Sequence, residues 1–110
     1  MAPNFSSLAF SFFALGEVTF RKQEPRTDDR TFQSDYRCQF RYADAQDSRV
    51  EVRVHFIGQE ASRSGEDVAV LLAFLNWKRE RTRCRVGRKF ELCEGDAVVA
   101  RGVVQAIGSS

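Results

Sequence analysis

Arg49-Val50-Glu51-Val52-Arg53-Val54-His55-Phe56 alternates without a break. In an extended chain Val50, Val52, Val54 and Phe56 fall on one face and Arg49, Glu51, Arg53 and His55 on the other, the period-two pattern of a half-buried strand. The stretch from Tyr36 to Tyr42 repeats it, with Tyr36, Cys38, Phe40 and Tyr42 on one face and Arg37, Gln39 and Arg41 on the other. Glu17 to Gln23, Lys89 to Cys93 and Ala97 to Ile107 also read as strands. Gly102 interrupts the last of these, as at a bulge or a close backbone approach. Asp67 to Trp77 is apolar nearly throughout, and periodicity alone does not separate a buried helix from a buried strand there. Its strand-like neighbours assign it to a strand. Turn residues gather at 24–29, 43–48, 59–66, 86–87 and 94–96. Six or more short strands, with turns every ~8–12 residues, predict an all-β sandwich or barrel.

The chain has 110 residues, 43% hydrophobic and 29% charged, which fits one globular domain over residues 1–110. A domain of that size buries a core without needing disulfides or a metal. Ten Phe against one Trp and two Tyr is an aromatic load that suits strands. No stretch reaches the roughly 18 apolar residues that span a bilayer, so no membrane partner is expected. Phe5 to Leu15 is apolar, but no Lys or Arg precedes it and no clear A-x-A site follows, so it reads as a first strand, with a secretion signal as the alternative. Cys38, Cys84 and Cys93 are odd in number and form no CxxC pair; with His55 alone they make no ordinary zinc set. Reduced thiols, a cytoplasmic location, and neither metal nor other cofactor are the expectation.

The net charge of +2, from 17 basic and 15 acidic residues, does not point to nucleic acid by itself. The run from Lys78 to Lys89 does so locally. On a strand, Arg79, Arg81, Arg83 and Arg85 would share one face as a phosphate-binding ladder, with Lys78, Arg88 and Lys89 at its ends and Arg49 and Arg53 widening it. The rival reading is a solvated face neutralised by Glu51, Glu80 and Glu91. The two weigh equally, because four like charges in register are costly without a partner. Trp77, just before the run, either closes one end of a core, the favoured reading, or stacks on a base or anchors a protein. Phe5, Phe10, Phe12 and Phe13 either cover a barrel end or face a partner. His55 has no recognised nucleophile or second acid-base group beside it and reads as a surface histidine. Cys84 and Cys93, if close across neighbouring strands, would still need a base such as His55 to act as nucleophiles. No catalytic residue is therefore assigned. Asp28, Asp29 and Asp35 lack EF-hand spacing and read as solvated turns.

Two motifs resemble the C-terminal β-barrel, the third domain, of elongation factor Tu. Ser34-Asp35-Tyr36-Arg37-Cys38-Gln39-Phe40 is similar to that family's G-Y-R-P-Q-F segment. Lys89 to Val104 is similar to its closing R-F-A-I-R-E-G-G-R-T-V-G-A-G-V-V. The family's opening A-E-V strand falls at Gly16-Glu17-Val18, and its P-G-D turn at Ser64-Gly65-Glu66, so the resemblance runs from about Phe13 to Ile107. It implies a single closed six-stranded antiparallel barrel. No G-x-x-x-x-G-K-[S/T] loop is present, so the GTPase engine is missing. The resemblance further implies tRNA-facing positions at Gln39, Glu94 and Gly95. The family's Gly-Gly-Arg-His turn has become Arg26-Thr27-Asp28-Asp29, and its second Gly in R-E-G-G is Asp96; added carboxylates oppose phosphate contact. The expectation is a non-enzymatic module binding tRNA-like RNA through Gln39, Lys78, Arg79, Arg81, Arg83, Arg85, Glu94 and Gly95. The alternative is a docking module that mimics the factor's barrel and meets one of its protein partners, with Trp77 as anchor.

Overall fold

The computed structural model describes residues 12–21 and 30–108. Its elements are β1 (Phe13–Phe20), β2 (Thr31–Gln33), β3 (Tyr36–Tyr42), β4 (Ala45–Phe56), β5 (Ala61–Arg63), β6 (Asp67–Phe74), α1 (Trp77–Arg83), β7 (Lys89–Glu94) and β8 (Ala97–Gly108). Six strands close into one antiparallel barrel in the order β1-β6-β4-β3-β7-β8, while β2 and β5 pair in a separate two-stranded sheet. The barrel is the closed architecture expected, and closure leaves its strands no unpaired edge.

Alternation sets the interior. Val52, Val54 and Phe56 of β4 and Cys38, Phe40 and Tyr42 of β3 are buried, and the arginines between them face outward. The apolar stretch after Asp67 is a strand as far as Phe74, sending Val68, Val70, Leu72 and Phe74 inward. Phe40 sits at the centre, with Tyr42 and Phe74 edge-on at 4.9 Å and Phe90 stacked at 5.0 Å. Offset and edge-on rings of this kind add about 0.5–1.5 kcal/mol per pair to their area burial.

Three boundaries differ from the sequence reading. The turn at 43–48 is only two residues long, because β4 already begins at Ala45. The supposed loop 59–66 contains β5, and the facing β2 was not anticipated; three-residue strands are too short to show a period. Their job is local. Phe32 of β2 stacks on Phe20 at 4.0 Å and meets Tyr36 edge-on, so this small sheet plugs one end of the barrel with an aromatic side chain. Phe5–Leu15 and Glu17–Gln23, read as two strands, are replaced among the described residues by one, Phe13–Phe20, which takes the end of the first stretch and the start of the second. Phe5, Phe10, Lys22, Gln23 and the 24–29 turn, with Asp28 and Asp29, lie outside the described residues.

Where β1 and β8 pair, two glycines leave no room for a side chain. A Cβ added at Gly102 would lie 2.5 Å from the Glu17 carbonyl oxygen and 2.7 Å from both the Phe90 ring and Val18. One at Gly16 would lie 2.6 Å from the Val103 carbonyl oxygen. Gly102 thus marks a close approach, and the register shift of this pair falls at Leu15/Gly16 instead.

Candidate nucleic-acid interface

The basic run does not form a strand. After β6, Asn76 caps α1 by accepting a hydrogen bond from the Arg79 N–H at 3.4 Å, and the helix ends where the Cys84 N–H donates to the Glu80 carbonyl at 2.8 Å. Lys, Arg and Glu are good helix formers, and an Asn immediately before such a run is a helix-start signal. A period of 3.6 replaces the expected alternation. Arg79 and Arg83, four apart, share one side, and both donate to the Ser48 hydroxyl of β4, Arg83 at 2.9 Å. Arg81 is exposed, and Arg85 lies beyond the helix, also exposed. The four-arginine strand ladder is therefore replaced by a helix and the loop after it.

The same period turns the one acid of the run inward. Glu80 is 1% exposed and accepts a hydrogen bond from the Tyr42 hydroxyl at 3.0 Å. Its other carboxylate oxygen makes no hydrogen bond; the Arg79 Nε stands 3.9 Å away. Burial, then the nearby Cys84 and Glu80, push the Tyr42 phenol well above its ordinary range, so it stays a proton donor to Glu80. The Tyr42 ring in turn supports two guanidiniums, Arg88 at 3.7 Å and Arg83 at 5.8 Å. Arg88 is held by Asp44, through its Nε and NH2 at 3.1 and 2.9 Å, and donates to the Arg83 carbonyl at 2.7 Å.

The basic residues thus divide in two. Arg79, Arg83 and Arg88 are built into the barrel end. Lys78, Arg81, Arg85 and Lys89 are exposed, and no ion pair with a carboxylate is found for them among the described residues. Of the acids that might have neutralised the face, Glu80 is buried, and Glu91 is taken by Arg41 at 2.9 Å and Arg101 at 3.1 Å. Glu51 stands on β4 opposite Gln39. Trp77 is half-buried and packs against the core, with the Lys78 ammonium over its ring at 5.6 Å. Arg53 is paired with Asp35 at 3.1 Å and does not widen the free set.

Gln39, Glu94 and Gly95 form a second group. Strand β7 starts at Lys89 beside α1, so Glu94 lies roughly 17 Å further along, at the rise of an extended chain. Glu94 is clamped by both terminal nitrogens of Arg30, at 2.7 and 2.6 Å, and by the Tyr36 hydroxyl. Arg49 bridges the other two, donating to the Gln39 side chain at 3.2 Å and to the Gly95 carbonyl. Ser48, which holds α1, and Arg49 are neighbours on β4, so one strand links the two groups. Asp96 is exposed in the turn after Gly95.

The thiols and the histidine stand apart. Cys84 follows α1, whereas Cys93 pairs with Gln39 and Val98 on β7, and all three cysteines are buried and free. Burial pushes the Cys38 thiol up to about 12, with Glu94 and Cys93 adding to the rise. His55 is mostly covered, opposite Leu71 of β6, with Nδ1 3.8 Å from Asp35 and Nε2 buried without a partner. It is not the exposed surface histidine that alternation suggests. Asp35, at φ 68°, takes up Arg53. Among the described residues no group of three possible metal ligands occurs.

These surroundings set a pH dependence. Burial pushes the His55 imidazole below its ordinary 6.5, against the pull of Asp35 and with a contribution from Arg53. The unfolded chain then takes up that proton first, so stability falls as pH drops below about 6.5. Burial alone would raise the Glu91 carboxyl, but hydrogen bonds from Arg101 and Arg41 hold it below its ordinary 4.5. Its stabilisation is present above that value and is lost as pH falls through the lower folded one. The melting temperature is expected to drop in two stages on acidification, and His55→Leu to remove the first. A flat profile between about pH 7.5 and 5.5 in the parent protein would refute the account of His55.

No protein-family profile and no curated protein sequence matches this chain.

Proposed function

We propose that this chain is a non-enzymatic binding module, similar to the third domain of elongation factor Tu, that contacts tRNA-like RNA through the cations around α1. The observation that supports this reading most is the inward turn of Glu80. Seven basic residues occupy 78–89, and the single acid among them is spent inside on Tyr42. What remains outside is a run of one sign, four of whose members have no ion-pair partner among the described residues. Uncompensated cations of this kind gain most from phosphate, because each contact releases a counterion.

Four free cations on single-stranded segments predict a slope of about −3 in log affinity against log salt. Between about 50 and 200 mM salt the affinity for a tRNA-sized RNA is then expected to fall roughly 50-fold. Fluorescence anisotropy over a salt series measures this directly. Capture of a protein partner that survives both RNase and moderate salt, with no RNA binding, would instead favour the docking module.

A further inference from the structure

Phosphate contacts alone do not account for the apolar side chains at the same end of the barrel. Leu75 is 75% exposed and Val86 62%, the two most exposed large hydrophobics among the described residues. They flank α1, Leu75 following β6 just before the Asn76 cap and Val86 in the turn that leads into β7. The half-buried Trp77 begins the helix between them. Free cations are interleaved with these residues: Lys78 follows Trp77, and Arg85 precedes Val86. A continuous duplex offers such a surface only its phosphates and sugars, since its bases are stacked away. RNA with unpaired bases offers both phosphates and apolar base faces.

We infer that the RNA class bound at α1 is single-stranded or looped, its phosphates on Lys78, Arg81 and Arg85 and its splayed bases on Leu75 and Val86. This rests on the RNA reading given above and adds the form of the RNA. Val86 sits in a turn secured by backbone bonds, Gly87 N–H to Val104 and Arg88 N–H to Arg85. Leu75 is secured likewise, by its N–H donating to Glu51. Both side chains can therefore be changed without removing what holds the loops in place.

The test compares one RNA sequence as a single strand and as a blunt duplex of equal length, at one salt concentration, with the full chain and with a Leu75→Ser/Val86→Ser variant. The single strand is expected to bind roughly tenfold more tightly, and the double variant to erase that preference while leaving duplex affinity unchanged. Circular dichroism and melting confirm that the variant is folded. Equal affinity for both forms, with the salt slope intact, would overturn this inference and leave the phosphate reading standing. Absence of binding to either form at low salt would overturn both. Retention on anionic phosphatidylserine vesicles that RNA does not compete away would also overturn both, by assigning the same surface to a lipid headgroup layer.

Discussion

Gly102→Ala is expected to destabilise the barrel by about 3 kcal/mol, at the upper end of what one added methyl does in a filled interior. The methyl would meet the Glu17 carbonyl oxygen, which belongs to the opposing backbone, as well as Phe90 and Val18. A flexible side chain can turn away from such a contact, but a paired strand has to move as a whole. Moving β1 from β8 lengthens the hydrogen bonds that close the barrel. Against a typical total of 5–15 kcal/mol, such a loss lowers the urea midpoint substantially without unfolding the chain at room temperature. An unchanged midpoint would mean that the seam has room the structure does not give it.

Arg81→Glu with Arg85→Glu is expected to weaken RNA binding at least 100-fold at low salt. Two phosphate contacts disappear and two repulsive charges take their place. Because both side chains are exposed and have no ion-pair partner among the described residues, the melting temperature should change little. Arg83→Glu would be a poorer test, since Arg83 donates to Ser48 and lies over Tyr42 and its loss disturbs the fold as well. Retained affinity in the Arg81/Arg85 variant would place the RNA elsewhere. Conversely, a slope of log affinity against log salt reduced by about 1.4, with folding intact, would assign those two phosphates.

The fold was legible wherever one side of a strand faces the core. Val50 to Phe56 and Tyr36 to Tyr42 could be read residue by residue, because a period of two has little competition there. Strand β6 was legible only through its neighbours, its outward positions being Ala and Leu rather than polar. Strands β2 and β5 were not legible: the one ring they add is Phe32 of β2, stacked on Phe20 of β1, and no pattern of three residues announces that. The strand placement of the basic run was misread for a different reason. Alternating arginines satisfy a strand pattern on paper, but Asn76 offers a cap and Glu80 finds Tyr42, and both are satisfied only by a helix. The sequence signal was the Asn before a run of Lys, Arg and Glu. Gln39, Glu94 and Gly95 lie near one another, yet their partners Arg30, Tyr36 and Arg49 come from three separate segments, which no local reading joins.

The closing seam also constrains how the chain can fold. Among the described residues β1 pairs only with β6 and β8, whose first residues come about 50 and 80 positions later. During synthesis β1 therefore waits for β6, and its final hydrogen bonds wait for β8. Contacts of such sequence separation carry a large loop-closure entropy and form slowly. The β3–β4 hairpin, with its two-residue turn, can form at once and serve as the template on which β6 and β7 assemble. Until then Ala14, Val18 and Phe20 remain uncovered, and the interval before closure is when the chain is most exposed to aggregation.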